Sequence, residues 1–172
     1  MKKLQVTFAL ILLSSLLLSC TKQSPQTPSN KDRSVDKSTV SLLYINQKLA
    51  IKEDSQLKKF ALQRDKAFKK SEIGFWYKKD LLGNGSKLKD SISCKFSYKL
   101  LSLKGKILQS ESKKIVIGKK QVIVGLEEGL KLLNKGDSAT LIIPWYLAYG
   151  MKGNGSMIPP YTSILCMIKV YN

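Results

Sequence analysis

The chain has 172 residues, 43% of them hydrophobic, and its 30 Lys and Arg against 12 Asp and Glu give a formal net charge of +18. This length allows about one domain with an appendage, and the apolar content is too high for a disordered chain. The sequence has no histidine and three cysteines. It therefore excludes histidine-dependent nucleophilic catalysis, histidine-containing zinc sites and Cys₄ metal centres.

The N-terminus has the pattern of an export signal. A basic start precedes an apolar run from Val6 to Leu18, which as a helix spans about 20 Å and is too short for a hydrocarbon core of roughly 30 Å. Residues 1–19 are therefore predicted to be a signal peptide. The ending Leu-Leu-Ser-Cys resembles the bacterial lipobox, which implies cleavage before Cys20 and lipidation of Cys20. An ordinary secreted protein is the alternative.

Residues 20–37 are polar and contain proline, which predicts a flexible tether between a lipid anchor and the domain. The residues directly after Cys20 contain no acidic cluster that resembles an export signal. This favours an anchor that faces the periplasm. The expected location is therefore the bacterial cell envelope, on a membrane and facing the periplasm. The lysine pairs are scattered along the chain without a nucleic-acid-binding motif, so no nucleic-acid partner is expected.

Residues 38–70 have helical periodicity, clearest at Leu57, Phe60, Ala61 and Phe68. The pattern predicts one interrupted helix or two short ones. Its apolar face either packs on the domain or holds a second copy of the chain, so that a homodimer through residues 38–70 is possible.

Residues 71–172 have the pattern of short strands with one helix. The helix is predicted from Val122, Leu126, Leu130 and Leu133, which share one face. One helix without regular βαβ alternation predicts an α+β domain with a mostly antiparallel sheet around that helix. The predicted strands are Ile73–Tyr77, Ser91–Leu101, Lys106–Ser110, Lys114–Ile117, Ala139–Ile143 and residues 162–171, the last of them central in the sheet.

Three segments in register resemble the FKBP family of peptidyl-prolyl cis/trans isomerases. They are GKKQVIVGLEEGL from Gly118 to Leu130, SATLIIP from Ser138 to Pro144, and Ala148-Tyr149-Gly150 followed by Met-Ile-Pro-Pro and the last strand. The lipobox, the tether, the helical stretch and the Gly-Phe-Trp-Tyr lead-in also resemble FKBP-type lipoproteins of Bacteroidetes, including those associated with gliding motility. The resemblance implies binding of proline-containing, unfolded or extended polypeptides and folding assistance to exported proteins, with no metal or organic cofactor.

The resemblance also implies a set of site residues. Tyr98 would form a wall, the Ile123 amide would hold a substrate carbonyl, and Tyr149 would donate a hydroxyl; these three are the expected catalytic residues. The expected substrate-binding residues are Leu108, Val122, Leu126, Met157, Ile158 and Cys166.

Several positions depart from the family pattern. Leu126 replaces a floor tryptophan, Leu108-Gln109 replaces a Phe-Asp pair, and Cys166 replaces a wall phenylalanine. The missing aspartate is expected to remove a charge and a buried hydrogen-bonding partner. The stretch between Ser110 and Ile115 is too short for the usual flap. Lost ring contacts, each about 0.5–1.5 kcal/mol, predict weaker isomerase activity and poor macrolide binding. An FKBP-like binding module or chaperone subunit of an envelope assembly therefore stays open beside the enzyme.

The remaining cysteines, Cys94 and Cys166, both lie in apolar strand-like runs. A disulfide is possible in an oxidising envelope, but two buried free thiols are the favoured interpretation.

Overall fold

The protein is described by a computed structural model over residues 37–172. The predictions for the signal peptide, Cys20 and the tether up to residue 36 lie outside the described residues. No helix within 37–172 combines the length and the apolar character needed to cross a membrane. The elements are α1 (Lys37–Arg64), β1 (Lys69–Lys70), β2 (Trp76–Leu81), β3 (Ser93–Ser102), β4 (Ile107–Val116), α2 (Val124–Lys131), β5 (Ser138–Ile143), a 3₁₀ turn (Trp145–Leu147) and β6 (Ile164–Val170).

The six strands form one antiparallel sheet in the order β1-β2-β5-β6-β3-β4. This confirms the predicted α+β class with an antiparallel sheet packed on one short helix. The last strand, β6, pairs with both β3 and β5. Its central position explains why it carries apolar residues on both faces.

The inner face of the sheet carries the main core. Along β3, alternate residues Cys94, Phe96, Tyr98 and Leu100 are buried, as a half-buried strand requires. Helix α2 packs on this face with Leu126 and Leu130 buried. The predicted stripe is therefore correct, although the helix is shorter than the stripe: Val122 precedes it and Leu133 follows it.

Two glycines let α2 approach the sheet closely. A methyl group on Gly125 would collide with Ile143, and one on Gly129 would collide with Leu141. The spacing of these glycines therefore sets the short distance between α2 and β5, and the N-terminus of α2 is held against the inner face.

The outer face is partly covered by the C-terminal half of α1. A second cluster joins Leu57 and Ala61 of the helix to Trp76, Ile142 and Leu165 of the sheet. Packing of α1 on the domain, one of the two expectations for this helix, is thus confirmed for its C-terminal half. The N-terminal half leaves apolar side chains exposed, among them Leu42, Leu43, Tyr44, Ile45 and Leu49.

The prediction of helical structure across 38–70 was wrong in two respects. Helix α1 is continuous, and it ends at Arg64 rather than near Lys70. The Asp65 carboxylate accepts a hydrogen bond from the Ala67 N–H at 2.9 Å, and the Asp65 carbonyl accepts one from the Phe68 N–H at 3.2 Å. This side-chain turn competes with further helix and directs the chain into β1.

The prediction of separate strands at 106–110 and 114–117 was also wrong. Strand β4 runs without interruption from Ile107 to Val116. Leu101 pairs with Ile107 and Leu100 pairs with Gln109, so Leu108 is an extra residue in a bulge. Because β4 lies at the edge of the sheet, its polar middle does not have to be a loop.

Helix α1 is also tied to the loop beyond β5. The Ser163 hydroxyl donates to a Glu53 carboxylate oxygen, and the same hydroxyl accepts the Trp145 N–H at 2.9 Å. Trp145 begins the 3₁₀ turn that leads to Tyr149. A polar contact of α1 therefore supports the backbone that carries a predicted site residue.

Candidate functional site

A cavity of about 330 Å³ lies between the N-terminus of α2, the inner face of β3 and β4, and the loop that carries Tyr149. Its walls combine aromatic and aliphatic side chains, and its rim carries amides and lysines. The lining residues are Tyr98, Leu100, Gln109, Lys113, Lys120, Gln121, Val122, Ile123, Leu126 and Tyr149. Concave sites of this size that combine apolar walls with polar groups able to orient a ligand are typical binding sites.

Five of the residues expected from the sequence line this cavity together: Tyr98, Val122, Ile123, Leu126 and Tyr149. They come from β3, from the start of α2 and from the loop after the 3₁₀ turn. The structure thus brings five residues that are far apart in the sequence to one cavity, as the resemblance implied. Their roles in binding and catalysis remain predictions.

The other four expected residues do not line the cavity. Leu108, Ile158 and Cys166 are buried in the core beside it, and Met157 is 59% exposed. Cys166 sits on the central strand between Leu100 and Leu141, where its neighbours cover it completely. Leu108 occupies the β4 bulge. The three buried side chains, those of Leu108, Ile158 and Cys166, therefore support the walls of the cavity instead of forming its surface.

The Ile123 backbone offers a free donor at the cavity. Ile123 is the N-cap of α2, with φ −59° and ψ 148°, and its carbonyl accepts the N–H groups of Leu126 and Glu127. Among residues 37–172, no group accepts the Ile123 N–H. A helix N-terminus leaves its first N–H groups unpaired and carries partial positive charge. The site can therefore hold a carbonyl oxygen.

Glu127 fixes the loop that leads to Ile123, a role that sequence reasoning missed. Its carboxylate is buried and accepts the Gly118 N–H at 2.9 Å and the Lys120 N–H at 3.2 Å. The sequence signal was an acidic residue in the first turn of the helix. Because the loop and the helix share this carboxylate, the Ile123 N–H is held in place by the helix itself.

A polar network joins the two tyrosines of the cavity. The Tyr98 hydroxyl donates to Glu111 at 2.8 Å, and the Gln109 amide donates to Tyr98 at 3.1 Å and to Glu111 at 2.9 Å. The Tyr149 hydroxyl donates to the Gln109 carbonyl oxygen at 3.4 Å. The long last bond leaves the Tyr149 hydroxyl weakly held and able to turn to a bound ligand.

The network corrects one expectation about the lost aspartate. Replacement of the Phe-Asp pair was expected to remove a charge and a hydrogen-bonding partner, but Glu111 supplies a carboxylate to Tyr98 from the next inward position of β4. Gln109 and Glu111 were not identified as a pair with Tyr98 from the sequence. The missed signal was the register of β4, which places Glu111 opposite Tyr98.

The electrostatics of this network fix its protonation. Burial raises the pKa of Tyr98, and the hydrogen bond to Glu111 raises it further. The hydrogen bond from Tyr98 lowers the pKa of Glu111, with Gln109 and Lys113 acting in the same direction. Burial also raises the pKa of Tyr149. Both tyrosines are therefore neutral donors at pH 7, and Glu111 is an ionised acceptor.

The thiols of Cys94 and Cys166 are both free and buried, as favoured from the sequence. Burial raises the pKa of each thiol, so neither is a thiolate nucleophile at neutral pH. In the described part of the chain, no three Cys, Asp or Glu side chains are grouped so that they could hold a metal ion.

A larger groove of about 760 Å³ lies on the other face of the sheet, beyond the end of α1. Its lining includes Arg64, Lys99 and Lys169, and Lys78 bridges Asp65 and Asp80 across it at 2.8 and 3.2 Å. This groove carries more charged side chains than the inner cavity, whose charged lining residues are Lys113 and Lys120.

Comparison with known proteins identifies relatives of both sequence and fold. The sequence model of the FKBP-type peptidyl-prolyl cis-trans isomerase family matches residues 64–170. The chain is 29% identical over 122 residues to a probable FKBP-type peptidyl-prolyl cis-trans isomerase of Haemophilus influenzae, covering 69% of this chain and 51% of the relative. It is 35% identical over 88 residues to the FKBP-type peptidyl-prolyl cis-trans isomerase FkpA of Buchnera aphidicola, covering 49% and 36%. The chain thus spans about half, or less, of the length of these curated relatives.

Solved structures share the fold. The crystal structure of FkpA from Escherichia coli has a TM-score of 0.61 at 25% identity, with 96% of this chain and 81% of that chain covered. A peptidyl-prolyl cis-trans isomerase from Pseudomonas syringae has a TM-score of 0.62 at 23% identity, with 73% and 93% covered; this second likeness concerns the fold alone. Since the family's sequence model and its fold both match, the chain belongs to the FKBP-type peptidyl-prolyl cis-trans isomerase family.

Proposed function

We propose that this protein catalyses cis/trans isomerisation of X–Pro bonds in the cavity beside α2. One observation carries the proposal: a cavity of about 330 Å³ that is lined in part by aliphatic and aromatic side chains has the free N–H of Ile123 at its wall. A proline ring fits apolar walls, and the neighbouring carbonyl needs a donor. The chain's membership of the isomerase family supports the same activity.

The chemistry needs no acid or base. Rotation about an X–Pro bond has a barrier of about 18–20 kcal/mol because amide resonance must be broken. The planar amide is more dipolar than the twisted one, so an apolar site disfavours the ground state relative to the transition state. Leu100, Val122 and Leu126 supply apolar walls, and the lack of histidine is no obstacle to this mechanism.

Three residues are proposed to act on the substrate directly. The Ile123 N–H holds a carbonyl oxygen of the bound peptide, Tyr98 forms a wall, and the Tyr149 hydroxyl donates a second hydrogen bond. Val122 and Leu126 contact the proline ring. Leu108, Ile158 and Cys166 act from behind the walls, and Met157, being exposed, contacts only a substrate that extends beyond the cavity.

The isomerisation rate of a short Xaa-Pro peptide tests this proposal. Ile123→Pro deletes the proposed donor, and the native φ of −59° suits proline. Ile123→Ala is the matched control, because it shortens the side chain but keeps the N–H. Activity lost in Ile123→Pro and largely kept in Ile123→Ala supports the proposal. Absence of catalysis by a folded wild-type protein would contradict it.

The second candidate is a binding module, which would bind proline-containing segments without isomerising their X–Pro bonds. It is favoured by Leu126, which lines the cavity where an aromatic residue was expected. The peptide assay distinguishes the two, because a module of this kind would bind the test peptide without accelerating its isomerisation.

The cellular setting is proposed from the N-terminal sequence. Residues 1–19 followed by Cys20 match a lipoprotein signal, so the protein is proposed to be a lipid-anchored, periplasm-facing envelope protein that assists the folding of exported chains. The likeness to gliding-motility lipoproteins of Bacteroidetes belongs to the same proposal. Incorporation of a labelled fatty acid that is lost in Cys20→Ala would support it, and incorporation that is unchanged would contradict it.

Dimerisation through α1 is proposed from its exposed apolar side chains. Leu42, Leu43 and Ile45 are at least 48% exposed, and a soluble helix normally buries such residues. A second copy of the same helix offers a matching apolar face. Light scattering on the wild type and on a variant with Leu42, Leu43 and Ile45 changed to Ser tests this: a dimer that becomes a monomer supports it, and a monomeric wild type contradicts it.

A further inference from the structure

The rim of the isomerase cavity carries positive charge. Within the described residues, two lysines, Lys113 and Lys120, and no acidic side chain line the cavity. The rest of the lining is apolar, aromatic or amide. An uncharged rim would suffice to hold a proline ring, so the lysines call for a separate explanation.

The two lysines differ in their partners. The Lys113 ammonium lies 3.3 Å from Glu111, whose carboxylate also accepts from Tyr98 and Gln109. Lys120 takes part in none of the ion pairs within residues 37–172. Its charge is therefore the one available to a ligand, with Lys113 in support.

Lys120 is held close to the proposed donor. Its φ is +53°, an uncommon conformation for a residue other than glycine, and its N–H is fixed by the buried Glu127 carboxylate. The lysine lies three positions before Ile123 in the same short loop. A substrate carbonyl bound at the Ile123 N–H therefore places the neighbouring side chains of the peptide beside Lys120.

The acidic groups nearby are already engaged. The Glu127 carboxylate accepts hydrogen bonds from the N–H groups of Gly118 and Lys120. The Glu111 carboxylate accepts hydrogen bonds from Tyr98 and Gln109 and pairs with Lys113. From these charges we infer that the cavity selects proline segments with an acidic residue adjacent to the proline, and that Lys120 is the residue that determines this preference. The inference rests on the proposed isomerase site and names its substrate class.

Peptides of one frame with Glu, Gln or Lys next to proline test the inference. For the wild type, kcat/KM is expected to be about three- to tenfold higher for the Glu peptide than for the Gln peptide, which is the size of one partly desolvated charge pair. In Lys120→Gln the Glu/Gln ratio falls toward one, and in Lys120→Glu the Lys peptide becomes preferred. High salt reduces the wild-type ratio.

Lys99→Gln is the matched control, because Lys99 is an exposed lysine that lines the groove on the opposite face of the sheet. It should leave the Glu/Gln ratio at the wild-type value. Equal rates with the Glu and Gln peptides, or a ratio that changes as much in Lys99→Gln as in Lys120→Gln, would overturn the inference. Circular dichroism and urea unfolding confirm that each variant is folded.

The same peptides separate this inference from the proposed function. If a folded protein turns over none of them, the isomerase proposal fails, and the dissociation constants of the peptides from calorimetry then decide the inference alone. Tighter binding of the Glu peptide that disappears in Lys120→Gln upholds it for a binding module. Equal binding of the Glu and Gln peptides refutes it.

Discussion

Asp137 provides a direct test of how the loops around the start of β5 are held. Its side chain is fully buried; Oδ1 accepts the Gly83 N–H at 2.6 Å, and Oδ2 accepts the Asn134 N–H at 2.9 Å and faces the Lys79 ammonium at 3.4 Å. Asp137→Ala leaves these donors without an acceptor, and we expect a loss of about 3–5 kcal/mol in the free energy of unfolding. Asp137→Asn keeps one acceptor oxygen but places its NH₂ group against a donor, and we expect it to lower the free energy of unfolding by about 2 kcal/mol.

The same carboxylate predicts a pH dependence. Burial alone would raise the pKa of Asp137, but the Asn134 and Gly83 N–H groups and the Lys79 ammonium outweigh it and hold the pKa below its ordinary value of 3.8. A folded-state pKa that is lower than the unfolded one stabilises the protein fully above the unfolded pKa, and this stabilisation is lost as the pH falls through the folded pKa. The stability difference between wild type and Asp137→Asn is therefore constant near neutral pH and narrows below about pH 4.

Urea unfolding of wild type, Asp137→Asn and Asp90→Asn at neutral and acid pH measures both effects. Asp90→Asn is the control, because its carboxylate is two-thirds exposed and pairs with Lys131 at 2.9 Å on the surface; we expect it to change the free energy of unfolding by less than about 1 kcal/mol. The reasoning is refuted if the two variants lose equal stability, or if the Asp137→Asn difference is the same at neutral pH and at pH 3.

Three further predictions follow from other contacts. Glu127→Ala should lower the free energy of unfolding by about 1–3 kcal/mol, since two backbone N–H groups lose their acceptor. Glu127→Gln keeps an acceptor oxygen and should retain most of the wild-type stability, and urea unfolding of both variants measures the difference. Macrolide inhibitors of the family should bind weakly, and Leu126→Trp should tighten binding several-fold by restoring a ring contact of about 0.5–1.5 kcal/mol; nanomolar binding to the wild type by calorimetry would contradict this. Leu57→Ala should cost about 2–4 kcal/mol because it leaves a cavity between α1 and the sheet, while the exposed Leu43→Ala should change stability little; thermal unfolding distinguishes a docked α1 from a loose one.

The fold could be predicted where burial follows a regular period. The alternation of Cys94, Phe96 and Tyr98 and the doubly apolar last strand gave the positions of β3 and β6, because each face of a strand meets either core or water. The same reasoning divided β4, since an edge strand tolerates polar residues on both faces and then looks like a loop. It also extended the first helix too far, because the turn at Asp65 depends on one side-chain hydrogen bond within a lysine-rich stretch that otherwise favours helix.

The candidate site was predictable only in part. Tyr98, Ile123 and Tyr149 were identified by resemblance, and the structure brings them to one cavity. Gln109 and Glu111 were missed because their contact with Tyr98 depends on strand register, which the sequence alone does not fix once β4 is divided. The burial of Cys166 was expected, but its place behind the wall was not: only its neighbours across the sheet, Leu100 and Leu141, determine that it does not reach the cavity.

The lost aromatic residues and the polar network should have opposite effects on the proposed catalysis. A leucine such as Leu126 buries less area than an aromatic ring and makes no ring contacts, which should weaken the hold of the cavity on a bound amide. The network of Glu111, Gln109 and Tyr98 instead fixes the Tyr98 hydroxyl, because the ionised Glu111 carboxylate accepts from this hydroxyl at 2.8 Å and the Gln109 amide donates to it at 3.1 Å. We therefore expect substrate recognition by this protein to depend less on ring contacts and more on placed donors and charges. If so, changing Gln109 to Leu should reduce kcat/KM for every peptide alike, because the Tyr98 hydroxyl loses the amide donor that helps to hold it in place, whereas changing Lys120 should alter only the order of preference among peptides. Because the two variants lie on the same cavity but affect different quantities, measuring both on one peptide series separates how the site holds an X–Pro bond from how it chooses one.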